Sequence, residues 1–138
     1  MDALKREVAA LRERGITSVP SAAVLGAGAT ASSALAALAQ ICRGEVTAYV
    51  RGPARAAEML HWGERLGVTV RTADWSHAAE ALAEPLVIAT TPAGAADHLA
   101  EAVPAAPGAL FDVLYAPWPT PLAGAWSGFV GGSYSHVG

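Results

Sequence analysis

Two glycines separated by one residue form the strongest chemical signal in the sequence. The hexamer Gly26–Ala31 reads G-x-G-x-x-A, and it lies between an apolar run and an alanine-rich helical pattern. Gly26 permits a tight turn, Gly28 lets a phosphate approach the backbone, and Ala31 is small enough for close helix packing. Backbone amides at the start of a helix attract phosphate. The pattern therefore predicts a pyrophosphate site on Gly26, Ala27, Gly28, Ala29 and Thr30; the alternative is a glycine turn without a ligand.

The end of the second predicted strand, Glu45–Arg51, distinguishes between dinucleotides. An NAD site usually has an acidic residue about 20 residues after the glycines, but the stretch 46–57 contains none. Instead Arg51 ends the strand, and Arg55 falls on the first turn of a helix that begins at Pro53. Arginine pairs well with a 2′-phosphate, so we predict NADP, bound by Arg51 and Arg55. Two solvated surface arginines, or an S-adenosylmethionine site, are the alternatives.

Strand and helix patterns alternate along the chain. Strands are predicted over 22–26, 45–51, 68–72, 86–90 and 109–115, with a short sixth over 128–132. Helical patterns follow the glycines and Pro53, and others cover 76–83, 94–103 and 120–126. This alternation predicts an α/β, Rossmann-like three-layer α/β/α fold with a mostly parallel sheet of about six strands. We assign 1–15 to an N-terminal helix and 16–138 to one NADP-binding domain.

Composition narrows the class of protein. The 138 residues are 53 % hydrophobic and 15 % charged, and the net charge of −3 with scattered basic residues argues against nucleic-acid binding. No apolar run reaches the roughly 20 residues that cross a bilayer, and the charged N-terminus does not resemble a signal peptide. Cys42 is the single cysteine, and neither it nor the four histidines has metal-ligand spacing. We expect a soluble cytoplasmic protein without a metal.

From about Ser21 onward the chain resembles the cofactor domain of shikimate dehydrogenases. Four segments carry the resemblance: "VLGAGATASSALAAL", "VRGPARAAEM", "VIATTPAG" and "FDVLYAPWPTPLAGAW". Arg51 matches the arginine of the family's Asn-Arg-Thr/Ser segment, whereas Val50 and Gly52 depart from it. The fourth segment is the most specific, because it matches the signature Asp-x-x-Tyr-x-Pro-x-x-Thr-Pro-Leu at Asp112, Tyr115, Pro117, Thr120, Pro121 and Leu122.

The resemblance implies NADPH-dependent reduction of 3-dehydroshikimate to shikimate, a step of aromatic amino-acid biosynthesis. It implies that the loop with Thr90, Thr91 and Pro92 lies beside the cofactor. It also implies that the backbone near Val113 and Tyr115, and a glycine matched by Gly131 or Gly132, borders the nicotinamide. We expect Asp112 to be a structural carboxylate and the four tryptophans to be packing residues. The predicted cofactor-binding set is Gly26, Ala27, Gly28, Ala29, Thr30, Arg51, Arg55, Thr90, Thr91, Pro92, Val113, Tyr115 and Gly131.

The family's N-terminal substrate domain has no match in this sequence. That domain supplies a lysine–aspartate pair, but Lys5 lacks the family's motif and Asp2 lacks its spacing. We therefore predict no catalytic residues and little or no activity from these residues alone, with substrate bound only alongside the missing domain. The alternative is a non-catalytic nucleotide-binding or self-associating interaction module, since surface exposed by the missing domain favours homo-oligomers. The choice between shikimate and quinate stays open.

Overall fold

One parallel sheet of six strands organises the molecule. The computed structural model describes residues 9, 12–13, 17–92, 94–112, 121–126 and 130–132. The strand order is β3-β2-β1-β4-β5-β6, which is the order of dinucleotide-binding sheets and confirms the predicted fold class. The strands are β1 (Ala22–Leu25), β2 (Val46–Val50), β3 (Val70–Asp74), β4 (Leu86–Ala89), β5 (Ala109–Asp112) and β6 (Val130–Gly132).

The central strands are buried on both faces, which explains their unbroken apolar sequences. Every residue of β1, β2, β4 and β5 is buried. A parallel sheet with covered faces favours such runs over alternating patterns. The outer strand β3 is different, because its residues are exposed or only partly buried. The three polar residues of "VRTAD" therefore mark an edge of the sheet.

Different kinds of helix cover the two faces. The α-helices α1 (Ala29–Leu38) and α2 (Pro53–Leu66) pack over a core that includes Val24, Ile88 and Phe111. The opposite core includes Leu25 and Leu110. It is covered by the 3-10 helices η1 (Trp75–Ala83) and η2 (Asp97–Ala102) and by the short helix α3 (Pro121–Ala125).

The helices predicted over 76–83 and 94–103 are 3-10 helices in the structure. A 3-10 helix rises about 2.0 Å per residue against 1.5 Å in an α-helix. The nine residues of η1 therefore span about 18 Å rather than about 13.5 Å. This greater reach lets a short segment connect the end of β3 to the start of β4. Of the predicted N-terminal helix 1–15, only residues 9, 12 and 13 are described, and all three are helical. The boundary at residue 16 stays a prediction.

Candidate functional site

The turn between β1 and α1 holds its two glycines for different reasons. Both have positive φ, +111° at Gly26 and +102° at Gly28. A Cβ on Gly26 would lie 2.8 Å from the Thr90 hydroxyl oxygen, so the neighbouring loop occupies that space. A Cβ on Gly28 would meet nothing within 4 Å. The structure therefore leaves an open space above Gly28 that a side chain would fill.

The start of α1 is suited to an anion. Its N-cap Gly28 provides no side-chain cap, and the first turn contains no acidic residue. The first intrahelical hydrogen bond runs from the Ser32 amide to the Gly28 carbonyl at 3.0 Å. Earlier amides have no acceptor within the helix and carry the positive end of its dipole. Ala29 and Thr30 are exposed there, whereas Ala31 is fully buried against the sheet, as its small size predicts.

A pocket of about 230 Å³ opens at the carboxyl ends of β1, β2 and β4. This is where open α/β sheets bind ligands, because the strand order reverses between β1 and β4. The strands that follow β1 are added on one side, and those that follow β4 are added on the other. Seven predicted cofactor residues line it: Gly26, Ala27, Arg51, Arg55, Thr90, Thr91 and Pro92. Gly28, Ala29 and Thr30 continue from the same turn without lining the pocket. Gly131 lies on β6, three strands away from β1. Val113 and Tyr115 lie outside the described residues.

Thr90 joins the two sides of the pocket. Its amide and its hydroxyl both donate to the Leu25 carbonyl, at 2.9 and 2.8 Å. On the other side, the Gly26 amide donates to the Tyr49 carbonyl at 3.0 Å. The glycine turn is thus fixed to the ends of both neighbouring strands. The hydroxyl hydrogen of Thr90 is used in this contact, so toward a ligand Thr90 presents an acceptor.

The charge of the pocket is positive. Of the described residues that line it, two are arginines and none is acidic. Arg55 forms an ion pair with Glu58 at 3.1 Å, on the first turns of α2. Arg51 makes no ion pair in the described part of the chain. Gly52, with φ +87°, leaves the start of α2 without a side-chain cap and adds a second helix dipole here.

Trp75 is a pocket residue that the sequence prediction treated as packing only. The Arg51 guanidinium carbon lies 5.3 Å from the centroid of its ring, in cation–π geometry. Register could have revealed this neighbour, because Val50 pairs with Asp74 and the next residue of each strand is Arg51 or Trp75. Tyr49, Val50 and Ala95 complete the lining. Burial, followed by the charges of Glu80 and Glu84, raises the pKa of the Tyr49 phenol, which therefore stays neutral.

Two carboxylates lie near the pocket without lining it. Asp74 accepts hydrogen bonds from the amide and hydroxyl of Ser76, at 3.0 and 2.6 Å. These bonds lower its pKa, so Asp74 is ionised at neutral pH. Asp112 is buried at the end of β5 and lines a small neighbouring cavity with Thr91 and Leu122.

The described residues contain no group of three or more histidine, cysteine or acidic side chains arranged to hold a metal ion. Among the same residues, no helix is both long and apolar enough to cross a membrane.

The chain resembles solved structures of shikimate dehydrogenases. No protein-family model and no curated protein matches the sequence. The shikimate dehydrogenase of Mycobacterium tuberculosis is 36 % identical over 81 % of this chain and 45 % of its own length, with a TM-score of 0.71. The Mycobacterium fortuitum enzyme is 32 % identical over 86 % of this chain and 47 % of its own, with a TM-score of 0.70. The chain thus spans just under half of these relatives.

More distant structures share the fold alone. A shikimate dehydrogenase in complex with NADP+ is 18 % identical over 95 % of this chain and 49 % of its own, with a TM-score of 0.69. Complexes of the same fold with NAD are found as well, at 18 and 19 % identity. Both nucleotides therefore occur among proteins of this fold.

Proposed function

Because this chain belongs to the shikimate dehydrogenase family, we propose that it is the NADP(H)-binding part of a shikimate dehydrogenase-like oxidoreductase. The observation that carries the proposal is the pocket, in which the glycine turn, two arginines and the loop after β4 meet. The parent reaction is the reduction of 3-dehydroshikimate to shikimate with NADPH. A cytoplasmic location, expected from composition, is part of the same proposal.

The glycine turn and the start of α1 would hold the pyrophosphate. The open space above Gly28 supports this assignment, because a methyl group there would occupy the path by which phosphate reaches the backbone. The uncapped first turn of α1 offers amide donors to the phosphate oxygens, and it presents no acid to repel them. Ala29 and Thr30 are exposed at this turn and supply those amides.

Arg51 and Arg55 would select NADP over NAD. An NAD site places a carboxylate against the ribose 2′-hydroxyl, and no acidic residue is among those that line this pocket in the described chain. Arg51, exposed and without an ion pair there, is free to meet a 2′-phosphate. Arg55 is the weaker candidate, since Glu58 already neutralises part of its charge.

The nicotinamide supplies the hydride when it is bound, and the protein's task is to hold and orient it. We assign that task to the loop with Thr91 and Pro92, to Val113 and Tyr115, and to Gly131. We further propose that the groups that bind the substrate and move its proton lie outside these 138 residues. The matched relatives are about twice as long, which supports such a division. These residues alone should then show little turnover with shikimate and NADP.

Isothermal titration with NADP and NAD tests the cofactor assignment. We expect the chain to bind NADP more tightly than NAD, and Arg51→Ala to weaken NADP by roughly 10- to 100-fold, the loss of one charge-assisted contact. Arg65→Ala is the matched control, since Arg65 lies on the same helix as Arg55 but about 15 Å further along it. Failure of the chain to bind either nucleotide would instead favour the non-catalytic interaction module.

A further inference from the structure

The indole of Trp75 has one side in the core and one side in the pocket. The residue is half-buried and packs against the core cluster that includes Leu25 and Leu110. The ring of His98 contacts it edge-on, with the two centroids 6.2 Å apart. The pocket side of the same indole lies under the Arg51 guanidinium. The ring is therefore supported by the protein, while one of its faces is available to a cation.

The backbone that carries Trp75 is fixed as well. Asp74 ends β3 and is the N-cap of η1, where its carboxylate accepts from the amide and the hydroxyl of Ser76. Trp75 lies between these two residues, so its Cα position is set by the strand on one side and by the cap on the other. A ring on such a segment is a rigid support.

Arg51 has few other restraints. It is exposed, and no carboxylate lies within ion-pair distance of it in the described part of the chain. The charge of Asp74 interacts with Arg51 at longer range, but the Asp74 carboxylate is already hydrogen bonded to Ser76. The indole of Trp75 is thus the side-chain contact that the guanidinium makes in the described part of the chain.

We propose that Trp75 is a positioning residue, which holds the Arg51 guanidinium at the mouth of the pocket for the 2′-phosphate of the nucleotide. The inference rests on the proposed function. A free arginine side chain loses rotamer entropy when it binds a phosphate, and one already laid on a ring loses less. Part of the preference for NADP over NAD then depends on a ring that does not itself bind the phosphate.

The chain contains a matched pair for comparison. On α2, the Arg65 guanidinium carbon lies 5.7 Å from the Trp62 ring, in nearly the same geometry. His61 contacts Trp62 edge-on, as His98 contacts Trp75. Neither Trp62 nor Arg65 lines the pocket. Trp62→Leu therefore controls for the loss of a cation–π pair and of a half-buried ring at a distance from the nucleotide.

The test measures Kd by isothermal titration for two fragments, 2′,5′-ADP and 5′-AMP, which differ in the 2′-phosphate. For Trp75→Leu we expect 2′,5′-ADP to bind about two- to fivefold more weakly, while 5′-AMP changes less. Trp75→Phe should recover part of the loss, and Trp62→Leu should change neither ligand. In an Arg51→Ala background, Trp75→Leu should no longer alter the ratio of the two Kd values. Misfolded protein lowers the binding stoichiometry rather than Kd. The ratio of the two Kd values therefore describes only the molecules that are folded.

Fluorinated tryptophan keeps the volume of the ring and weakens its π face, so it tests the contact without removing packing. Incorporated at position 75 alone, a series with increasing fluorine content should lower the preference for 2′,5′-ADP step by step. The same series in Arg51→Ala should be flat. The positioning role is wrong if Trp75→Leu weakens binding of both ligands equally, or if the ratio of their Kd values is unchanged across the fluorine series. Either result leaves the proposed function standing. If the wild-type chain binds neither fragment, the proposed function falls and this inference falls with it.

Discussion

The two halves of the sheet begin in the same way and end differently. Before β2, Gly44 packs against the Pro20 carbonyl, and before β5, Gly108 packs against that of Pro85. In each case an added Cβ would lie 2.2 Å from the carbonyl oxygen. The carboxyl ends of the strands differ. There β2 leads into arginines and a 14-residue α-helix, whereas β4 leads into threonines, a proline and a six-residue 3-10 helix.

The comparison separates what the fold requires from what the ligand requires. Close backbone packing at the amino ends of the strands is common to both halves, so it reflects the architecture. The difference at the carboxyl ends concerns charge. The first half supplies the cations of the pocket, and the second half supplies hydroxyls and a short connection that closes it. Under the proposed function, selection of the nucleotide's charge would therefore be a property of the first half.

The largest effect should come from Gly44→Ala and Gly108→Ala, which test the shared beginning. In both variants the new methyl meets a backbone carbonyl that cannot rotate away, so we expect a loss of about 3 kcal/mol or more in the free energy of unfolding. Urea denaturation measures it. Gly124→Ala is the control, since a Cβ there meets nothing within 4 Å. If only one of the two substitutions were strongly destabilising, the conclusion that both halves depend on the same close packing would be wrong.

Next in size is the contrast between Gly26→Ala and Gly28→Ala. Both variants are strained by positive φ, which costs about 1–3 kcal/mol. Gly26→Ala also collides with Thr90 of the second half and should be the less stable of the two. Gly28→Ala should keep more stability but bind NADP about tenfold more weakly or worse, because its methyl enters the open space. Thermal unfolding and titration together check this; normal NADP affinity in Gly28→Ala would contradict the pyrophosphate assignment.

A smaller effect is expected from Glu58→Gln, which tests whether Arg55, a cation of the first half, contacts the 2′-phosphate. Removing this carboxylate frees the Arg55 guanidinium from an ion pair in which Arg55 is exposed and Glu58 is partly buried. Such pairs are weak, so NADP should bind only about twofold more tightly, with little change for NAD. Glu64→Gln, on the same helix, is the matched control. Tighter binding of both nucleotides alike would mean that Arg55 does not read the 2′-phosphate.

The smallest effect concerns Asp74, where the first half passes into η1. Its pKa is lowered, mainly by the bonds from Ser76, so its stabilisation is complete above the ordinary value of 3.8 and is lost as pH falls through the lower folded value. Asp74→Asn should therefore show a shallower fall in stability below about pH 4 than the wild type. Denaturant unfolding between pH 7 and pH 3 measures it. Ser76→Ala should reproduce part of the difference; identical pH profiles would refute the assignment.

Local pattern was sufficient for one part of the site and not for the rest. The glycine turn and the arginine after β2 follow from residue type and spacing, because each is a local requirement of its strand–helix junction. Trp75 was missed as a pocket residue, since its position depends on how β3 pairs with β2. The helices predicted over 76–83 and 94–103 are present as η1 and η2, but the prediction did not specify that they are 3-10 helices.

The Leu25 carbonyl accepts from both the amide and the hydroxyl of Thr90. One oxygen atom thus couples the segment that would meet the pyrophosphate to the loop on the nicotinamide side. Under the proposed function, a nucleotide bound in the pocket would contact two segments that are already tied to each other through this one oxygen atom.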